Sequence, residues 1–239
     1  MAERPSAAPA LSALTVPALL AIPGLVHGFE PGRGAPGETR AASQERVGAA
    51  LASAGRLLLM TQVHGAAVLT APWLGQPPAD AAMAGAPGFL LGIETADCLP
   101  ILLVDPRRRV VAAAHAGWRG TVAGVVRRVL EVLRADGSDP RQVLAAVGPG
   151  IGACCYEVGE EVREAFGPES SPLFLAGPRG RPHLDLRAAV VSQMEGAGLA
   201  SANIHHLSDC TFCHADHYHS YRRQGPGGGR MISFVGWTG

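Results

Sequence analysis

The 239-residue chain contains no lysine; arginine supplies all of its side-chain cations, and basic and acidic residues balance at 20 each. We take the arginine bias as the codon usage of a GC-rich genome. A net charge of zero leaves no electrostatic footprint for nucleic acid or an anionic membrane, so neither is an expected partner. Long apolar runs are missing too. The stretch ALSALTVPALLAIPGLV (10–26) is broken by Pro17 and Pro23 and is too short to span a bilayer. Glu3 beside Arg4 precedes it and no small-x-small cleavage site follows, so it reads as a first strand and turn rather than a signal peptide. Cysteine is scarce and odd in number: Cys98, Cys154, Cys155, Cys210 and Cys213. An odd count with an adjacent pair does not make a disulfide framework, which points to a reducing cytoplasm.

No internal repeat or domain boundary is visible, and 239 residues suit one domain spanning 1–239. Polar Gly/Pro segments at 30–46 and 71–88 read as loops. Between them GRLLLMTQVHG reads as a buried strand ending at His64, and FLLGIETADC, PILLV and RVVAAAH are further apolar runs of strand length. After Thr121, apolar residues at 122, 125, 126, 129, 130 and 133 mark one helix face, with Gly137 placed to stop it. A strand, a glycine-rich turn and a helix follow over 143–166, another helix over HLDLRAAVVSQMEGAGL, and a last strand at RMISFVGW. Helices and strands alternate without a strict βαβ rhythm, which predicts an α+β domain of mixed sheets flanked by helices.

LPILLV and RVVAAA are joined by DPRR, a natural turn, so an antiparallel hairpin is expected. A turn centred between Pro106 and Arg107 pairs Val104 with Arg109. The same register sets Cys98 opposite His115, on one side of the sheet, with Cβ atoms about 5 Å apart. A thiol and an imidazole at that distance are a nucleophile with its base, or two ligands of one metal. His64, followed by unobstructive Gly65, supplies a third candidate ligand. His/Cys/His leaves one tetrahedral position of zinc open, as in a catalytic site. Thr121 is placed to cap the amphipathic helix, and free N–H groups there beside Arg119 suit an anion such as phosphate; a plain cap with a solvent-facing arginine is the alternative.

The ordered motifs QVHG (62–65), TADCLPILL (95–103), AAAHAGWRGT (112–121), GPGIGACCYEVG (148–159), HLDL (183–186), CTFC (210–213) and SYRRQG (220–225) resemble the laccase-like polyphenol oxidase family. Its members are also described as purine nucleoside phosphorylases and, in some bacteria, as peptidoglycan editing factors. The resemblance runs from about His27 onward. It implies a single α+β domain with zinc held by His64, Cys98 and His115. It also implies phosphorolysis of adenosine, inosine, guanosine and methylthioadenosine, and deamination of adenosine. Zinc lowers the pKa of bound water toward neutrality, which suits deamination, whereas phosphorolysis needs an anion site, for which Arg119 and Thr121 are candidates. Members usually carry HGFSTR and a glycine pair, where this chain has HGFEPGRGAPG; the arginine is displaced, to Arg33 as a candidate substrate contact, and an asparagine-containing segment is missing.

Three other readings remain open at this level. Two His and a Cys suit a blue-copper centre, but a laccase also needs a trinuclear copper site, for which only His205, His206 and the tail histidines are available. A cysteine hydrolase acting on a peptidoglycan precursor would use Cys98 as thiolate and His115 as base. A zinc-stabilised binding module is disfavoured by glycines beside the ligands, Gly65 and Gly117. The His-x-Glu of zinc deaminases is absent, because Gly65 and Ala66 follow His64, so no proton donor is identified. His214, His217 and His219 offer either a second metal site or a solvated surface. The glycines of GPGIGACCYEVG could cradle a phosphate or the substrate, Cys154 and Cys155 read as small buried residues, and CTFC alone is an incomplete metal site.

Overall fold

The computed structural model describes residues 11–32, 38–178 and 180–238. It opens with helical turn α1 (Pro17–Leu20), β1 (Leu25–Glu30), α2 (Arg40–Leu51), β2 (Arg56–Leu58), β3 (Val68–Thr70), β4 (Ala81–Ala84), β5 (Phe89–Thr95), β6 (Leu99–Asp105) and β7 (Val110–Ala116). Helices α3 (Trp118–Val122) and α4 (Val125–Ala135), β8 (Leu144–Val147), α5 (Glu160–Phe166), β9 (Phe174–Ala176) and β10 (Pro182–Leu184) follow. The chain closes with α6 (Leu186–Gly196), β11 (Ile204–His206), α7 (Tyr221–Gln224) and β12 (Met231–Trp237). Two mixed sheets carry the fold, ordered β1-β12-β5-β2 and β11-β8-β6-β7-β4-β3, with a separate β9–β10 ribbon. The α+β class expected from the sequence is what forms. No helix among the described residues is long and apolar enough to cross a membrane.

The two sheets pack face to face. Leu91, Ile93 and Val235 of the smaller sheet meet Leu102, Val104, Val111 and Ala113 of the larger. The larger sheet's other face, Leu99, Ile101, Leu103, Ala112 and Ala114, is covered by α4 and α6, and α2 covers the smaller sheet through Val47 and Leu51. Strands β6 and β7 are therefore buried on both faces, which explains why their sequences are continuous apolar runs without alternation. Helix α4 buries Val125, Val126, Val129, Leu130 and Leu133 on one stripe, each contributing about 1.5–3 kcal/mol.

Several boundaries differ from expectation. The 10–26 segment holds helical turn α1 where a strand was expected, because Pro17 at its first turn favours the helical φ. The 30–46 loop gives way to α2 from Arg40, capped by Thr39, and the 71–88 loop contains β4, whose alanines carry no strand signature. The strand expected to reach His64 ends at Leu58. Arg33 lies outside the described residues.

His27 in β1 anchors the N-terminal segment: its Nε2 accepts the Val16 N–H at 3.0 Å, and burial pushes its pKa below 6.5. As pH falls, the unfolded chain takes up this proton first, so the stabilisation is complete above about 6.5 and is lost progressively below it. His27→Phe should melt lower than wild type at pH 7.5, and the gap should narrow by pH 5 in thermal scans; a gap independent of pH refutes this.

A candidate metal centre at the open end of the sandwich

Strand β6 pairs with β7 through Leu99–Ala116, Pro100–His115 and Asp105–Val110. This register is displaced by two residues from the expected one, because the loop is the four residues 106–109, with Arg109 at φ 54°. Cys98 therefore faces Gly117 and sits diagonal to His115. The displacement is even, so side-chain parity survives, and both residues project from the face between the two sheets. Gly117 is needed there: a Cβ would stand 2.8 Å from the Cys98 sulfur and 3.2 Å from the His64 ring.

His64 comes from an irregular segment, at φ 60°, and its ring meets that of His115 edge-on with centroids 4.9 Å apart. One ligand atom from each of His64, Cys98 and His115 lies within 4.8 Å of the others, so these residues could hold a metal ion. Sequence reasoning missed Asp80, which organises the set from within the segment read as loop. Its Oδ1 accepts the His64 N–H at 2.9 Å and faces His115 Nδ1 at 2.8 Å, while Oδ2 accepts the N–H groups of Val63 (3.1 Å) and Gly65 (2.7 Å). A carboxylate only accepts, so His115 Nδ1 carries the proton and Nε2 is left for a metal, the carboxylate–histidine arrangement of zinc sites. The same bonds hold His64 in its positive-φ conformation.

Burial alone would raise the Cys98 thiol, but the adjacent His115 and His64 outweigh it and hold it at about 6. Burial alone would lower His115, yet Cys98 and Asp80 raise it to about 9. Near neutral pH the metal-free pair is thus a thiolate facing an oriented, protonated imidazole, and a thiophilic ion such as zinc or copper would bind by displacing the Nε2 proton.

The set forms the floor of a cavity of about 520 Å³, in the range of small-molecule sites. Trp118, Tyr156 and Tyr221 give it aromatic walls, and Arg40, Arg119, Arg222 and Arg230 give it cationic ones. The Arg119 guanidinium lies 4.2 Å over the Trp118 ring. Arg40 is paired with Glu94, and Gln62 clamps Glu94's backbone at 2.7 and 2.8 Å. Asp97, at φ 89°, turns the chain from β5 to Cys98 and is fixed by Thr211 Oγ1 (2.6 Å), Ser220 Oγ (3.1 Å) and the Arg222 N–H (2.7 Å). Tyr156 and Arg222 lie in motifs visible in the sequence, which alone gave them no role.

Thr121 is not the cap of the amphipathic helix. It lies inside the five-residue α3, fully buried, its hydroxyl donating to the Gly117 carbonyl at 2.9 Å, and the capping position of α4 is Gly124. Gly148 and Gly150 serve close packing: Cβ atoms there would meet Phe29 at 2.3 Å and the Asp97 carbonyl at 2.9 Å. Among the described residues, His205, His206, His214, His217 and His219 form no three-ligand group.

The family model described as multi-copper polyphenol oxidoreductase laccase matches residues 35–238. The chain belongs to this family. Within it, the chain is 41% identical over 197 residues to a purine nucleoside phosphorylase of Deinococcus radiodurans, covering 82% of this chain and 76% of that one. An adenosine deaminase from an unknown prokaryotic organism is 39% identical over 160 residues, 65% of this chain and 61% of its own length. The crystal structure of YlmD from Geobacillus stearothermophilus superposes with a TM-score of 0.82 at 27% identity, over 91% of this chain and 93% of that one. The enzyme names of these relatives support an enzymatic role for this member of the laccase-like family.

Proposed function

We propose that the protein is a zinc-dependent purine nucleoside enzyme that cleaves adenosine, inosine, guanosine and methylthioadenosine with phosphate and deaminates adenosine. The observation that carries this reading is the His64/Cys98/His115 set at the floor of an aromatic and arginine-lined cavity, in a chain similar to enzymes named for both reactions. Zinc held by those three residues would supply Lewis acidity at its open position. The chain's own residues do the rest. Trp118, Tyr156 and Tyr221 offer stacking faces to a purine, Asp80 keeps His115 in the ligand tautomer, and Arg119 presents a cation to phosphate. Thr121 is too buried to share that task. Zinc rather than copper is favoured because the two groups able to hold a metal among the described residues are this trio and a set of four cysteines, neither being the histidine-rich trinuclear centre of a laccase. We place the protein in the cytoplasm as one domain over 1–239.

The test incubates zinc-loaded protein with adenosine, with and without phosphate, and resolves adenine from inosine, with Cys98→Ala as the blank. Phosphate-dependent adenine, or inosine without phosphate, supports the proposal; neither product above the blank removes it. Arg119→Ala should raise the phosphate concentration needed for half-maximal phosphorolysis about tenfold, as the loss of one charge-assisted contact would. Deamination should change less, and equal loss of both reactions would sink the role of Arg119.

A second reading rests on Cys98 being held at about 6 beside His115. In it the metal-free protein is a cysteine hydrolase of peptidoglycan precursors. Hydrolysis that survives chelation and disappears on alkylation of one thiol would favour it over the nucleoside enzyme.

A further inference from the structure

Away from the pocket floor, the loop after β8 and the loop after β11 bring together four sulfurs that the sequence separates. Cys154 and Cys155 were expected to be small buried residues, yet Cys154 is exposed and Cys155 half-buried. Their partners are Cys210 and Cys213, so the CTFC pair that alone is an incomplete site is completed from the other loop. Sγ atoms of all four lie within 4.8 Å of one another, with Cys154–Cys213 at 3.7 Å and Cys155–Cys213 at 3.4 Å.

We propose that Cys154, Cys155, Cys210 and Cys213 hold a structural zinc ion that fastens these two loops together behind the pocket wall. Tetrahedral zinc with bonds of about 2.3 Å to sulfur sets its four sulfurs about 3.8 Å apart, which matches the cluster, whereas a disulfide needs about 2.05 Å. The backbone is shaped around the sulfurs. Gly152 N–H donates to Cys210 Sγ at 3.2 Å, and the N–H groups of Phe212 and Cys213 face the same atom, as they would for a ligating thiolate. A Cβ on Gly152 would come within 3.2 Å of Cys154 Sγ and 3.5 Å of Cys210 Sγ, so glycine leaves room for the four-sulfur arrangement. Four protein thiolates fill the coordination sphere, leaving no open position for a substrate, and the role is therefore structural.

What the ion would hold is the rear of the pocket. Tyr156 follows Cys155 directly, and Arg222, downstream of Cys213, lies 5.5 Å over its ring and donates to the Glu157 carbonyl at 2.9 Å. The opposite side of the first loop is already tied to β10, through His183 Nδ1 and the Ala153 carbonyl at 2.7 Å and Leu184 N–H to Tyr156 O at 3.0 Å. The two loops already meet where the Thr211 N–H donates to the Gly150 carbonyl at 3.1 Å, and the four cysteines would add a second tie farther along both loops, next to Tyr156.

The test counts metal per chain by elemental analysis of full-length protein purified with reductant from zinc-containing medium. Wild type should carry two zinc ions, Cys154→Ser/Cys213→Ser one, and Cys98→Ala one. The double variant alters two exposed side chains, and its retained zinc at His64, Cys98 and His115 reports that the fold survives. Cobalt substitution gives a second readout that needs no variant: a four-thiolate site should show intense sulfur-to-cobalt charge transfer and visible bands that Cys98→Ala keeps. One zinc per wild-type chain, removed by Cys98→Ala alone, would overturn the proposal. So would a Cys154–Cys213 or Cys155–Cys213 disulfide found by peptide mapping of protein isolated without reductant and alkylated before digestion. Iron in the four-thiolate site would overturn the assignment to zinc. None of these outcomes depends on whether the protein acts on nucleosides.

Discussion

Cys98→Ala is expected to abolish turnover, by about a thousandfold or more, while leaving the melting temperature of the metal-free protein within a few degrees of wild type. The site has no substitute for this sulfur. Gly117 faces it without a side chain, and the nearby carboxylate of Asp80 is fully engaged with His115 and the backbone of residues 63–65. Two imidazoles remain after the substitution, and an ion held by two protein ligands is readily lost to water or chelator. Removing Lewis-acid stabilisation of several kcal/mol corresponds to a rate loss of this size. The small effect on the fold follows from the position of Cys98, just before the start of β6 and partly exposed, where truncation opens no sealed cavity. Metal content at this site, steady-state rates and thermal melts of the metal-free proteins check the three parts separately. Activity within tenfold of wild type would place the chemistry elsewhere.

The Cys98–His115 pairing shows what the sequence can carry. Continuous apolar runs flanking a Pro-containing turn are enough to predict a hairpin, and the period of two in a strand preserves facing residues against any even error. The real loop, with Arg109 in the left-handed region, displaced the register by two and left both side chains on the same face. Thr121 fared worse. Its spacing relative to the apolar stripe fits a cap, but the Gly124 kink divides the helix, so the hydroxyl points into α3. Asp80 had no signal at all: it sits among prolines and alanines, and only the fold reveals that β4 carries it under His64 and His115. The four cysteines were visible singly, and their meeting was not, because Cys155 and Cys213 are 58 residues apart and come together through two loops that no periodicity describes.

Asp80 carries the second large expectation, because its four acceptor bonds leave asparagine no acceptable orientation. With the amide oxygen kept at the Oδ1 position, the NH2 group faces the N–H groups of Val63 and Gly65, donor against donor. With the amide turned over, NH2 meets the His64 N–H and His115 Nδ1; the imidazole can then pair only by moving its proton to Nε2, which removes the metal-ligating lone pair. The first orientation leaves two partly buried N–H groups without an acceptor and the second leaves the His64 N–H without one and the imidazole in the wrong tautomer, at about 1–3 kcal/mol for each lost bond. Burial favours protonating Asp80, but His115 and the backbone N–H groups outweigh it and lower the pKa, so the carboxylate stabilises the fold above the ordinary aspartate range and loses that effect only as pH falls through its lowered value. Asp80→Asn should therefore melt about 10 °C lower than wild type near neutral pH, a difference that narrows in strong acid. It should also lose zinc to a competing chelator 10–100 times more readily, the usual effect of removing a partner that orients a metal-bound histidine. Chelator competition separates this from simple instability when both proteins are compared well below their melting temperatures. A variant that melts lower but binds zinc as tightly as wild type would reduce Asp80 to a residue of the fold and leave His115 oriented by packing alone.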